Sequence, residues 1–158
     1  MDTDVTAIED MFATVSLGSP QRAIGFVMWR VMHRYQREVE QTLRPVDLTH
    51  LQFVTLTLAA WMARGGDAAT QSELARFGDI HPMQVSSVLK ALDGKGMVRR
   101  TRSVGKSLAK RVMITSTGME ALRAALPLVI AVQGKLFGNQ GRPGGSLLNA
   151  LVRIDEGG

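Results

Sequence analysis

Eight cations, Lys90, Lys95, Arg99, Arg100, Arg102, Lys106, Lys110 and Arg111, fall within the 31 residues from His81 to Arg111, and Asp93 is the only carboxylate among them. The resulting local charge of +7 exceeds the +5 of the whole 158-residue chain. Such a stretch can be a solvated face. It is also the electrostatic footprint of a nucleic-acid binder, because Lys and Arg displace counterions from phosphates. Neighbouring residue types favour recognition over catalysis. Gln84 can bond an adenine edge through two hydrogen bonds, and Ser86 and Ser87 can bond bases or phosphates. His33, His50 and His81 lie far apart without metal-ligand spacing, and no Ser/His/Asp arrangement stands out. The absence of cysteine excludes disulfides, zinc–thiolate sites and a thiol redox switch. These residues describe a binding protein rather than an enzyme, with no cofactor and no metal.

The elements around this stretch follow from caps and periodicity. Thr70-Gln71-Ser72-Glu73 has capping-box spacing and opens a short helix that stops at Gly78. His81-Pro82 places proline at the first position of the next helix. Val85, Val88, Leu89 and Leu92 form its apolar face, and Gly94 and Gly96 end it. Two short helices, about 70–77 and 82–94, joined by the turn Gly78-Asp79-Ile80-His81, make a helix-turn-helix. In that motif the second helix enters the major groove and its N-terminal residues meet base edges. Residues 97–102 and 110–114 are strand-like, with a turn at Gly105, and predict a β-hairpin wing. Its cations would reach phosphates or a narrow minor groove. The expected DNA-contacting set is Thr70, Gln71, Pro82, Met83, Gln84, Ser86, Ser87, Lys90, Arg100, Arg102, Lys106 and Lys110.

The flanks are helical. Residues 1–18 start acidic and read as an arm or partial helix. With no Lys or Arg among the first twenty residues, this start does not resemble a secretory signal. The longest apolar run, Ala124 to Val132, is short for a membrane span, so the expected location is the cytoplasm, without a membrane partner. Ser19-Pro20 predicts the start of a long helix ending near Arg44-Pro45. Ile24, Val27, Met28, Val31, Tyr35 and Val39 form one apolar strip, and Phe26, Trp29 and Met32, with His33 beside them, form a second. A helix apolar on two sides contacts two surfaces, here its own domain and a partner subunit. Thr49 to Gln52 is another capping box, opening a helix that Gly65-Gly66 ends. Thr115 or Thr117 caps a long helix that contains Pro127. Gly138 to Gly145 reads as a connector, and Ser146 as the cap of an apolar last helix.

The expected fold is mainly α with a small β-hairpin wing: a winged helix-turn-helix with N- and C-terminal dimerisation helices. The parts are an arm (1–18), a first dimerisation helix (19–46), the DNA-binding lobe (47–114) and C-terminal dimerisation helices (115–158).

Three segments, in order, resemble the MarR family of winged-helix regulators. Leu48-Thr49-His50-Leu51-Gln52 is like the family's Leu-Thr-x-x-Gln. Residues 85–100 follow its recognition helix through Leu-Glu-x-x-Gly-Leu-Val-x-Arg. Ile114-Thr115-Ser116-Thr117-Gly118 is like its Leu-Thr-x-x-Gly. The resemblance implies a homodimer intertwined through first and last helices, with two recognition helices about one DNA turn apart over a palindromic site. It also implies a small, often aromatic, effector between the dimer helices and the DNA-binding lobe. Trp29, Met32, His33, Phe53 and Trp61 are candidates to line that site, or ordinary core residues. The family's wing often carries Asp-x-Arg, and here Lys106 and Leu108 take those positions. The expected function is a sequence-specific regulator of transcription, a repressor released by an effector. The alternatives are a winged-helix protein-interaction adaptor and a DNA binder without effector.

Overall fold

The structure is a computed structural model that describes residues 4–102 and 110–157. The chain divides into two compact units, one ending at Glu38 and one starting at Val39.

The first unit holds α1 (Val5–Val15) and most of α2 (Ile24–Leu43). Asp4 caps α1 by accepting from the backbone N–H groups of Thr6 and Ala7, so the acidic start specifies a helix. Ser19-Pro20 does not open α2. Pro20–Arg22 instead closes a 3-10 turn, in which the N–H of Ala23 donates to the carbonyl of Pro20, and Ser19 makes no side-chain cap. Proline pre-sets φ for a first turn, but the chain extends again at Ala23 (ψ 112°) before α2 begins.

The second unit is built on α3 (His50–Ala63), which packs against α5 (Pro82–Gly94), β3 (Lys110–Ile114) and α6 (Ser116–Phe137). Thr49 and Gln52 form the reciprocal capping box that fixes where α3 starts. Burial holds the His50 imidazole below its usual range, and the charge of Glu40 opposes that. Leu56, Leu74, Val85, Leu89, Leu92 and Val112 are completely buried; each such side chain stabilises the fold by about 1.5–3 kcal/mol.

The sheet is antiparallel with order β1-β3-β2. Strand β2 (Val98–Arg102) pairs with β3 from Val98 opposite Ile114 to Arg102 opposite Lys110. The third strand, β1 (Ala69–Thr70), lies along the other side of β3. Two residues carry no readable alternation, so the sequence hid it. Thr115 caps α6 by accepting from the N–H of Gly118. Helix α6 is long and apolar enough to cross a membrane by length and hydropathy. Its Leu122, Ala125, Val129 and Val132 are buried, while Leu126, Leu128 and Ile130 are exposed. The connector contains a 3-10 turn, Gly138–Gly141. The last helix, α7 (Ser146–Glu156), is capped by Gly145 without a side-chain bond. Ser146 is therefore already helical and cannot serve as the cap.

Candidate nucleic-acid interface

Helix α4 (Gln71–Phe77) and α5 form the helix-turn-helix. Thr70 and Glu73 close the capping box: the Thr70 N–H and hydroxyl both donate to Glu73 Oε2 at 2.8 Å, and the Glu73 N–H donates to Thr70 Oγ1 at 3.2 Å. These bonds, the backbone one first, hold the Glu73 carboxyl below its usual range, with smaller help from Arg76 and Arg111. The single hydroxyl proton of Thr70 is thereby engaged by Glu73.

The turn is built differently from the glycine stop that sequence suggests. The left-handed residue is Asp79 (φ 48°), while Gly78 has φ −88°. The N–H of Ile80 donates to the carbonyl of Ala75 across the turn at 3.0 Å, which satisfies an end carbonyl of α4. Gly78 lies close to neighbouring side-chain tips: a Cβ there would meet Leu58 Cδ1 at 2.8 Å and Ile80 Cδ1 at 2.9 Å, and both would have to shift. His81 then caps α5, its Nδ1 accepting from the N–H of Met83 at 3.2 Å.

With Val85, Leu89 and Leu92 turned into the core, the opposite face of α5 is presented outward. Pro82, Met83, Gln84, Ser87 and Lys90 are exposed and Ser86 is half-buried. An open cleft is lined by Gln71, Pro82, Met83, Ser86, Ser87, Lys90 and Arg100. The adjoining cleft is lined by Gln71, Ser72, Ala75, Arg76, Ile80, Pro82 and Lys110. Seven of the twelve sequence candidates thus converge on one groove, Lys110 borders the next, and Gln84 stands on the same exposed helix face. Gln71 lies between the two clefts, and its buried Oε1 has no hydrogen-bond partner among the described residues. Ser72 and Arg76 are additions. Their four-residue spacing on α4 places them on one face, a signal available in the sequence.

The basic stretch does not act as one block. Lys95 Nζ sits 3.2 Å from both Asp47 Oδ2 and Gln52 Oε1 and also bonds the Asp47 carbonyl. Arg111 donates to the carbonyl of Ala68 at 3.0 Å. Arg100 pairs with Asp93 at 3.3 Å while still lining the groove. Lys90 has no ion pair among the described residues and is exposed in the groove. Strand alternation puts Arg99 on the opposite face from Arg100. Lys106 and Leu108 lie outside the described residues. For Arg102 the backbone position at the end of β2, opposite Lys110, is fixed.

The sequence model of the MarR family matches residues 48–105. The HTH-type transcriptional regulator YdcH of Bacillus subtilis is 35% identical over 118 residues, 75% of this chain and 80% of its own length. The chain belongs to the MarR family. Among solved structures, the transcriptional repressor CouR bound to a 23-mer DNA duplex superposes with a TM-score of 0.75 at 27% identity, covering 89% of this chain and 97% of that one. CouR bound to p-coumaroyl-CoA gives 0.70 at 27% identity, covering 89% and 96%. The relatives of this MarR-family chain are transcriptional regulators with the same mostly helical fold and small winged sheet.

The effector candidates are distributed over both units. In the first, Trp29 and Met32 are more than half exposed, and the His33 ring stacks on Trp29 with centroids 4.0 Å apart. His33 Nδ1 donates to the Trp29 carbonyl at 2.8 Å, which fixes the ring orientation. In the second, Phe53 is buried in the core, and Trp61 is exposed with the Arg64 guanidinium 3.6 Å over its ring.

Proposed function

We propose that this MarR-family regulator binds duplex DNA as a homodimer over a palindromic operator and represses transcription until a small aromatic ligand releases it. It acts by binding rather than by catalysis, in the cytoplasm where the DNA is. The observation that carries this is the groove along α5: a polar helix face, anchored by a fully buried apolar face, with Lys90 and Arg100 along its edge. Gln84 and Met83, at the exposed N-terminal end of α5, are the base readers. Gln suits adenine and an apolar tip suits the thymine methyl. Ser86, Ser87, Lys90 and Arg100 serve as phosphate and sugar contacts, with Thr70, Gln71 and Pro82 positioning the start of the two helices. Arg102, Lys106 and Lys110 serve as the further phosphate contacts. CouR in complex with a DNA duplex supports this assignment.

Residues 47–114 supply the DNA-binding lobe, and the helices on either side supply the dimer contacts. Support comes from exposed apolar residues on α2 (Ile24, Val27, Val31), α6 (Leu126, Ile130) and α7 (Leu151, Val152, Ile154). The effector reading rests on CouR in complex with p-coumaroyl-CoA and on exposed Trp29 and Met32 beside His33. Selection of bound sequences from random duplexes, followed by titration at about 50 mM salt, tests the DNA reading. Phosphate contacts are strong there, and no enrichment with no retained duplex would sink it, leaving a protein-interaction adaptor. Quenching of the two tryptophans by a series of aryl ligands tests the effector. Unchanged emission and unchanged DNA affinity across the series would leave a DNA binder without effector.

A further inference from the structure

Asp93 is the one carboxylate of the basic stretch from His81 to Arg111. Met83, Ser86, Ser87 and Lys90 recur at spacings of 3 and 4 along the groove-lining side of α5. Asp93 follows Lys90 by 3 residues and so continues that side of the helix. There, at the end nearest the wing, it lines a further cleft with Arg100, Thr101 and Lys110. A negative side chain beside the groove repels phosphates and weakens the charge that draws a duplex in. An interface working by charge alone gains nothing from it.

Its partner shows what offsets that cost. Asp93 Oδ2 accepts from Arg100 Nε at 3.3 Å, which ties the end of α5 to β2. As an ion pair the contact does little for folding, because the Asp93 side chain is 40% exposed. Its effect is on direction. Among the described residues Arg100 is held through Nε alone, so its two Nη groups keep their donors for another partner. Arg100 also lines the main groove beside Lys90, Ser86 and Ser87. A planar guanidinium fixed at Nε presents its Nη groups as a fork, and such a fork grips a phosphate through two parallel hydrogen bonds. An arginine without this restraint must lose its rotamer freedom when it binds.

We propose that Asp93 is a positioning residue for DNA binding: it holds Arg100 at Nε and so aims the guanidinium fork at a backbone phosphate before the duplex arrives. This rests on the DNA reading proposed above and gives the single acid of the basic stretch a role in it. Asp93 acts through Arg100 and makes no DNA contact of its own.

Asp93→Asn and Asp93→Ala remove the same charge, but only asparagine keeps an oxygen that can accept from Nε. The difference between them therefore separates aim from electrostatics. Fluorescence anisotropy at fixed salt measures the affinity of each for the duplex enriched from random sequences. Asp93→Ala is expected to bind more weakly than Asp93→Asn by roughly 2- to 12-fold per half-site, the cost of ordering one long side chain. In an Arg100→Ala background the two substitutions should give equal affinity, which a merely structural role of Asp93 would not produce. Equal affinity of the two variants with Arg100 present overturns the positioning role, and so does a difference that persists without Arg100. A wild-type chain that retains no duplex at about 50 mM salt overturns the DNA reading itself.

Discussion

Lys90 and Lys95 are five residues apart on the same basic stretch, and the structure predicts opposite consequences for their loss. Lys90 is exposed in the groove beside Ser86, Ser87 and Arg100. Lys95 is clasped by Asp47 and Gln52. Each neutralised phosphate contributes about 0.9 to the slope of log affinity against log salt. Both copies in the homodimer lose the contact, so Lys90→Ala should lower that slope by about 1.8 for operator and random duplex alike. Between 50 and 200 mM salt this corresponds to roughly a 12-fold change in the ratio of wild-type to variant affinity. Folding stability should not move, since exposed Lys90 has no ion pair among the described residues. Lys95→Ala should leave the slope unchanged and reduce stability by about 1–2 kcal/mol, the net worth of two hydrogen bonds. Its ion pair adds little, because Asp47 is 82% exposed. Fluorescence anisotropy at four salt concentrations and urea unfolding measure both quantities. If Lys95→Ala lowered the slope as much as Lys90→Ala, the basic stretch would be acting as an undivided charge, and the assignment of roles from geometry would be refuted.

Gln84→Ala should alter which bases are preferred at one position per half-site, with little loss on random DNA; equal loss on both would remove it as a base reader. Thr55 is fully buried and its Oγ1 has no hydrogen-bond partner among the described residues. Thr55→Val should thus raise stability by about 1–3 kcal/mol, seen as a higher urea midpoint at constant slope; a lower midpoint contradicts this. Gly118→Ala places a Cβ 2.1 Å from the Met97 carbonyl oxygen and should cost about 1–3 kcal/mol in the same assay, and a neutral result would mean the wing and α6 can separate freely. The Glu73 carboxyl is held below its usual value of 4.5, so the folded state binds that proton less readily than the unfolded one. Its contribution is complete above pH 4.5 and fades as pH falls through the lower folded value. Glu73→Gln should flatten the stability profile over that acidic window, and a profile unchanged from wild type would assign the acid sensitivity elsewhere.

The parts of the fold that sequence made legible are those set by local chemistry. Both capping boxes, the proline at the start of α5 and the glycines after it act over three or four residues, and each stands where the spacing places it. What escaped depends on contacts distant in sequence. Strand β1 exists only because β3 is there to pair with it. Gly78 looks like a left-handed stop, yet it lies close to Leu58, twenty residues earlier, and Asp79 takes the left-handed position. Ser19 and Ser146 have the right type for caps, but the backbone enters each helix at a different residue. Among the cations, type alone could not separate Lys90 from Lys95, because the partners of Lys95, Asp47 and Gln52, lie more than forty residues earlier, just before α3 and in its first turn.

Those distant contacts also constrain how release from DNA can work. At its N-terminal end α5 is fixed by the His81 cap, by Asp79 and by the approach of Gly78 to Leu58. At its C-terminal end Lys95 ties it to Asp47 and Gln52 of the α3 cap. Just beyond, Thr115 donates to the carbonyls of Gly96 (from its hydroxyl, 2.6 Å) and Met97 (from its N–H, 3.1 Å). Along its length Val85, Leu89 and Leu92 are completely buried. Melting α5 would expose three core side chains, each worth about 1.5–3 kcal/mol. The combined cost exceeds the 1–3 kcal/mol typical of coupling between two ligand sites. For the proposed repressor, release by an effector of ordinary coupling energy would therefore leave each recognition helix intact and change the spacing between the two.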